Sequence, residues 1–190
     1  MSCPHCSPKS DVAVLDTPTS SGGEKTIVLV GNPNVGKSTL FNAITGSRQH
    51  VVNAPGTTVE MKRGTWRALG ANLVDLPGTY SLIASSPDEQ VVSDTLSGAE
   101  GSFTDPRTGR KVDLAIVAMT RSLYLLGQVA QAGHPVVAVA TMVDVSEKDG
   151  QKYPVDKLAD ELGIPVLAVD PRHYDNPDLL EGIVRHALEH

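Results

Sequence analysis

Apolar residues gather along this chain in short continuous runs separated by longer stretches of mixed polarity. Thr26-Ile27-Val28-Leu29-Val30 is the first run and ends at Gly31; others are Leu114 to Ala118, Pro135 to Ala140 and Ile164 to Val169. Runs of this length and β-rich composition suit strands buried on both faces of a parallel sheet. The segments Ser38 to Thr45, Ser122 to Ala132, Val155 to Leu162 and Asp178 to Leu188 read as the intervening helices. Alternation of strand and helix predicts an α/β fold, a doubly wound sheet with right-handed crossovers. Glu60 to Leu69 and Ala71 to Asp75 flank a glycine turn and predict an antiparallel hairpin, so the expectation is a mostly parallel six-stranded sheet with one antiparallel edge. Trp66 is expected in the core under that hairpin. Pro87-Asp88-Glu89-Gln90 reads as a helix start, since carboxylates favour the positive end of a helix. Residues 1–25, rich in Ser, Pro, Thr and Gly, read as a flexible leader, and residues 26–190 as one domain.

Composition narrows the function classes. The 190 residues are 40% hydrophobic and 20% charged, with 16 Lys+Arg against 22 Asp+Glu and a net charge of −6. Those proportions are ordinary for a folded domain large enough to bury a core. The acidic balance leaves no basic stripe to neutralise phosphates, which argues against a nucleic-acid partner. No apolar run approaches the ~20 residues needed to span a bilayer, so this stretch is not expected to be a channel itself. Both cysteines lie within the first six residues and cannot staple the fold, as suits a reducing compartment. The N-terminus lacks the charged and apolar regions of a cleavable signal. Cys3-Pro4-His5-Cys6 offers three soft ligands, one short of a closed zinc site; an inert tail is the simpler reading, and transient metal capture or the bridging of two chains the sharper one.

Gly31-Asn32-Pro33-Asn34-Val35-Gly36-Lys37-Ser38 satisfies G-x-x-x-x-G-K-[ST], between a buried strand and a helix. Glycines there let backbone N–H groups wrap a phosphate at the positive helix end. Lys37 is then expected to reach the β- and γ-phosphates and Ser38 to ligate Mg²⁺. Asp75-Leu76-Pro77-Gly78 ends a strand at the sheet edge where such ligands bind, so Asp75 is a second Mg²⁺ residue and the Gly78 N–H a γ-phosphate sensor. The polar loop Gly46 to Glu60 carries Thr57-Thr58, candidates for a loop ordered by the γ-phosphate.

Gly31 to Asn42, Gly46-Ser47-Arg48-Gln49, Gly56-Thr57-Thr58-Val59-Glu60 and Val74-Asp75-Leu76-Pro77-Gly78-Thr79-Tyr80-Ser81-Leu82 closely resemble the G domain of the FeoB family of bacterial ferrous-iron transporters. The resemblance is densest from Thr26 to Asp94 and reaches to the C-terminus. It implies a P-loop GTPase domain over residues 26–190 that takes GTP and GDP with Mg²⁺ and K⁺. It also implies that this module lies on the cytoplasmic side of the bacterial inner membrane, and that its partner is the membrane-embedded iron-permease domain of the same full-length protein. Self-association as a homodimer or larger oligomer is left open. Carried over residue by residue, Asn34, Lys37, Thr58 and Gly78 become the catalytic set, with Asn34 at K⁺ and Ser38, Thr58 and Asp75 at Mg²⁺. Gly31, Asn32, Val35, Gly36, Thr39 and Thr57 complete the phosphate and switch contacts. Thr79 follows Gly78 where Ras-type enzymes carry a water-orienting Gln, which implies slow turnover.

The pattern breaks at the base-reading positions. Thr141-Met142-Val143-Asp144 stands where the family has N-M-x-D: Asp144 remains to meet the guanine, but Thr141 replaces an Asn that both meets the base and ties this loop to the phosphate loop. A hydroxyl has one proton and a shorter reach, so it is not expected to do both. Val169-Asp170-Pro171-Arg172 replaces a pair whose N–H meets guanine O6, and Pro171 has no N–H; either that contact is lost, or a neighbouring residue supplies it in a harmless loop variant of shifted register. The stretch from Ala118 to Arg121 is shorter than in relatives, a strained connection of the kind that favours element exchange between chains. Beside a GTPase that gates or powers Fe²⁺ uptake, two further readings therefore stand: a nucleotide-binding module that hydrolyses negligibly, and an NTPase with relaxed base choice.

Overall fold

The computed structural model describes residues 24–46, 49–99, 101–102, 104, 111–120, 123–141, 154–174 and 176–189. Every residue of β1 (Thr26–Gly31), β4 (Ala71–Asp75), β5 (Leu114–Met119) and β6 (Val136–Ala140) is buried, as continuous apolar runs require when helices cover both faces. With β2 (Gln49–Asn53), β3 (Glu60–Trp66) and the short β7 (Val166–Ala168), the strands form one sheet in the order β2-β3-β4-β1-β5-β6-β7. The pairs β4·β1, β1·β5, β5·β6 and β6·β7 are parallel; β2·β3 and β3·β4 are antiparallel.

Alternate residues of β1 face opposite ways and build two cores. Ile27 and Leu29 meet Leu40 and Phe41 of α1 (Lys37–Thr45), Leu180 and Val184 of α5 (Pro177–Glu189), and Trp66. Val28 and Val30 meet Val91, Val92 and Leu96 of α2 (Pro87–Ser97) and Leu125, Leu126 and Val129 of α3 (Tyr124–Gln131). Helix α4 (Val155–Leu162) buries no residue fully and adjoins β7. Trp66 is 2% exposed, the core residue expected under the hairpin.

Among the described residues the sheet has seven strands, one more than expected. The extra strand is β2, inside the stretch read as a polar loop, paired from Gln49↔Gly64 to Asn53↔Glu60. It is an edge strand with every side chain exposed except the half-buried Val52, so it carries no apolar run; only its partner β3 reveals it. The acidic start of α2 is a variant of the capping box in which the N3 carboxylate reaches back one residue beyond the N-cap. Ser86 Oγ accepts the Glu89 N–H at 3.2 Å, the Glu89 carboxylate accepts the Ser85 N–H at 2.9 Å, and Pro87 opens the first turn.

Candidate nucleotide-binding site

Strands β1 and β4 end side by side, with Leu29 opposite Asp75, at the carboxyl edge of the sheet. The chain leaves β1 through Gly31, where a Cβ would stand 2.5 Å from the Ala118 carbonyl oxygen; only glycine fits this crossing. Asn34 (φ 63°) and Gly36 (φ 86°) then take left-handed conformations and turn the loop back on itself. Gly36 is the N-cap of α1 and supplies no side-chain cap, so the first N–H groups of the helix are left for an acceptor from outside. Gly78 comes so close to the loop that a Cβ would lie 3.1 Å from Pro33, and the Thr79 N–H donates to the Gly31 carbonyl at 3.1 Å. These residues surround a cavity of about 610 Å³ lined by Asn32, Pro33, Asn34, Gly36, Lys37, Ser38, Thr39, Gly78 and Asp88.

Lys37 is buried beside this cavity. Its Nζ donates to Asp75 Oδ1 and to the Leu76 carbonyl oxygen, and the Ser38 hydroxyl donates to Asp75 Oδ2 at 3.0 Å. The Lys37 and Asp75 side chains are only 9% and 5% exposed, so this pair sits in a low-dielectric environment. Here the ammonium rests on the carboxylate that sequence reasoning gave to a metal. A bound nucleotide would offer it phosphate oxygens instead. The donor set fits the implied ligands: a cradle closed to any Cβ, an ammonium, uncapped N–H groups, and adjacent hydroxyl and carboxylate oxygens suited to a hard cation.

Thr57 and Thr58 lie elsewhere in this structure. They line an open recess with Asn53 to Val59 and Pro87, apart from Lys37 and Ser38. Thr57 is occupied within its own turn: its hydroxyl donates to the Ala54 carbonyl oxygen and accepts the Val59 N–H, each at 3.1 Å. Thr58 is exposed. Thr79 is 1% exposed and its hydroxyl donates to the Ser81 carbonyl oxygen at 2.6 Å, so it takes no part in the cavity lining.

Among the positions expected to read a base, Thr141 is 2% exposed and directly follows β6. Its hydroxyl faces two acceptors, the carbonyl oxygens of Val35 in the phosphate loop and of Met119. The tie between the two loops, which the Asn of the family motif would make, therefore exists here through a hydroxyl. Its single proton is taken, and no donor is left for a base. Val169 continues the ladder, donating to the Ala140 carbonyl at 2.9 Å. Asp170 is knotted into its own loop: its carboxylate accepts the Arg172 N–H, Nε and Nη2 and meets His173 Nδ1. The hydrogen bonds from Arg172, then from His173, hold this carboxyl well below the usual carboxylate range. Burial, and secondarily Glu181, pushes the Tyr174 phenol up to about 12. Met142 and Asp144, with Ser47, Arg48 and the Cys3/His5/Cys6 cluster, lie outside the described residues. Sequence reasoning missed two features. Asp88 at the cavity rim had no signal beyond its place in a helix start. The Asp170 knot was foreshadowed only by an Asx-turn residue two positions before Arg172.

A phosphate cradle between the first strand and first helix of a parallel sheet, closed on its far side by the end of β4, is the fold of a P-loop GTPase G domain. Solved structures show the same arrangement. The chain superposes with a TM-score of 0.73 and 35% identity on a point variant of S. thermophilus NFeoB bound to GDP, covering 87% of this chain and 62% of that one. On the G domain of the T. maritima FeoB iron transporter the TM-score is 0.74 at 34% identity, covering 86% of this chain and 98% of that one.

The sequence matches the family model described as Ferrous iron transport protein B over residues 25–182, and the chain belongs to that family. It is 40% identical over 148 residues to the Fe(2+) transporter FeoB of Escherichia coli K12, covering 75% of this chain and 18% of that protein. The Staphylococcus aureus Fe(2+) transporter FeoB is 36% identical over 161 residues, covering 85% and 23%. The chain thus spans about a fifth of these relatives' length, the part that carries the G domain. No helix of the described residues is long and apolar enough to cross a membrane.

Proposed function

We propose that this chain binds GTP and GDP with Mg²⁺ and hydrolyses GTP slowly, as the nucleotide switch of a ferrous-iron transporter at the cytoplasmic face of the bacterial inner membrane. The observation that carries this reading is the buried Lys37–Asp75–Ser38 cluster beside the glycine cradle. With nucleotide bound, Lys37 would hold the phosphates, and Asp75 and Ser38 would hold the metal. Bound Mg²⁺ would supply neutralisation of phosphate charge. Backbone N–H groups of the loop and of Gly78 orient the γ-phosphate, so the protein's contribution is positioning and charge stabilisation. Asn34, exposed at the cavity rim, is suited to hold K⁺ where an arginine would otherwise neutralise developing charge. Thr58 would have to move in from its recess to reach Mg²⁺, which is the motion a nucleotide-ordered loop makes. The relatives named as Fe(2+) transporters support a membrane permease domain as the partner of that movement.

A second reading, a nucleotide-binding module with relaxed base choice and little turnover, is favoured by one specific observation. Thr141 donates to a backbone carbonyl, and Pro171 has no N–H, so two donors that would read guanine are missing. Phosphate release from GTP and ATP, in matched KCl and NaCl with Asn34→Ala as control, decides between the readings. GTP-selective turnover that rises in K⁺ and is lost in Asn34→Ala supports the first. Binding without turnover in either salt overturns it, and equal use of ATP supports relaxed base choice.

A further inference from the structure

The chain between Gly78 and α2 carries a series of hydrogen bonds made by short polar side chains. Leu76 and Thr79 tie its start to β1, donating their N–H groups to the carbonyl oxygens of Leu29 and Gly31, each at 3.1 Å. The Thr79 side chain, 1% exposed, then reaches two residues ahead: its hydroxyl donates to the Ser81 carbonyl oxygen at 2.6 Å and accepts the Ser81 N–H at 3.2 Å. Ser81 repeats the move, its hydroxyl accepting the Ile83 N–H at 2.9 Å. Side-chain turns of this kind hold irregular backbone where no ladder or helix does.

The far end of the series is held from another element. The Leu82 N–H donates to Gln128 Oε1 at 2.9 Å, across 46 positions, and Gln128 Nε2 donates to the Tyr124 hydroxyl one turn earlier on α3 at 3.2 Å. Helix α3 is itself fixed by Leu125, Leu126 and Val129, buried in the core they share with Val28 and Val30, and Leu82 packs on the same core. Tyr80 and Ile83, 62% and 68% exposed, add little burial to hold the segment. Its path therefore depends on the β1 carbonyls at one end and on Leu82 and Gln128 at the other. Gly78, which lines the phosphate cavity, directly precedes the Thr79 anchor.

We infer that Gln128 is a positioning residue: it holds the segment from Gly78 to Ile83 at its far end and, through the Thr79–Ser81 turn, keeps the Gly78 backbone at the wall of the phosphate cavity, set for a third phosphate. The inference rests on the nucleotide reading above and adds to it an anchor on α3, outside the cavity. The contribution is entropic. A segment fixed at both ends presents its N–H groups ready-made, whereas one fixed only at Gly31 must be ordered when the ligand arrives. That cost falls on a ligand whose γ-phosphate meets Gly78 and spares one that ends at the β-phosphate.

The test compares GDP with the non-hydrolysable triphosphate GMPPNP, both in Mg²⁺, by calorimetry on the wild-type chain, Gln128→Met, Gln128→Glu and Thr79→Val. Both probes carry the same base, so the ratio of their affinities does not depend on how the base is read. Gln128→Met keeps the length of the side chain and removes the acceptor for Leu82. It is expected to weaken GMPPNP about fivefold, the worth of one net hydrogen bond, and to leave GDP within a factor of about two. Gln128→Glu keeps an acceptor oxygen and should restore the wild-type ratio, a rescue that a change of packing alone would not show. Thr79→Val breaks the same series in its middle and should shift the ratio the same way, and the double variant should lose little more than either single one, because both act through one path. Thermal melts place every titration below the Tm, and Thr79→Val carries the test if Gln128→Met does not fold. An unchanged ratio in the folded variant, equal weakening of both nucleotides, or no recovery in Gln128→Glu would overturn the inference. Failure of the wild-type chain to bind GDP would instead overturn the nucleotide reading on which it rests.

Discussion

Replacing Asp75 by Asn should lower the stability of the nucleotide-free protein and yet improve its grip on nucleotide when no metal is present. In the structure Lys37 donates to the Asp75 carboxylate, and the two side chains are 9% and 5% exposed. Removing one partner of a buried pair strands the other charge and costs about 3–5 kcal/mol. Asn keeps an oxygen for Lys37 and a partner for Ser38, so the low end, about 3 kcal/mol, is expected. At ~2–4 °C per kcal/mol for a chain of this size, Tm should fall by about 6–12 °C. Binding should respond with the opposite sign. In the wild-type protein a phosphate must draw Lys37 away from a carboxylate that also repels the incoming ligand. In Asp75→Asn both obstacles shrink, and a gain of about 1.4 kcal/mol would tighten GDP tenfold in EDTA. Adding Mg²⁺ should tighten the wild-type complex and leave the variant nearly unchanged, because the variant lacks the carboxylate proposed to face the metal. Thermal melts with fluorescence titration of GDP in EDTA and in Mg²⁺ measure all three effects. Weaker metal-free binding by a folded Asp75→Asn protein, or a Mg²⁺ effect as large as in the wild type, would refute this account of the cluster.

Thr141→Asn restores a carboxamide that can hold Val35 and still present a donor, and should tighten GDP by roughly two- to tenfold, the worth of one net hydrogen bond; calorimetry with GDP checks it, and no change would show that the base end is not limited by Thr141. Trp66→Ala empties a fully buried site shared with Phe41 and α5 and should cost about 3–5 kcal/mol in chemical denaturation. The Tyr174 phenol, raised from 10.0 to about 12, keeps its proton in the fold after the unfolded chain has lost it. Its contribution to stability is therefore complete below pH 10 and declines as pH rises toward 12. Melts of wild type and Tyr174→Phe from pH 9 to 12 should show a steeper alkaline decline in the wild type, and parallel curves would contradict the assignment.

Legibility from sequence followed burial. Strands β1, β4, β5 and β6 bury both faces, and their apolar runs lay within a residue or so of their observed bounds; Ala71–Asp75 and the helix Val155–Leu162 were placed at theirs. β2 was invisible because its one half-buried side chain, Val52, makes no pattern alone. The phosphate cradle was legible for a different reason: its glycines answer to close approaches, at Ala118 for Gly31 and at Pro33 for Gly78, which few other residues tolerate. A constraint that severe leaves a motif in the sequence.

The base end was legible only as a set of departures, because its constraints are met by side chains meeting across long separations. Thr141 reaches Val35 across 106 positions. Read along the chain, Thr141 was a lost Asn and Pro171 a lost N–H. In the fold, the hydroxyl keeps the half of the Asn's work that joins two loops and drops the half that would meet a ligand. A substitution at a shared position thus separates two roles that one residue can combine, support of the cradle and recognition of the base. The geometry retains support at Thr141. Whatever preference for guanine this chain has must then come from groups other than the Thr141 hydroxyl and the Pro171 backbone.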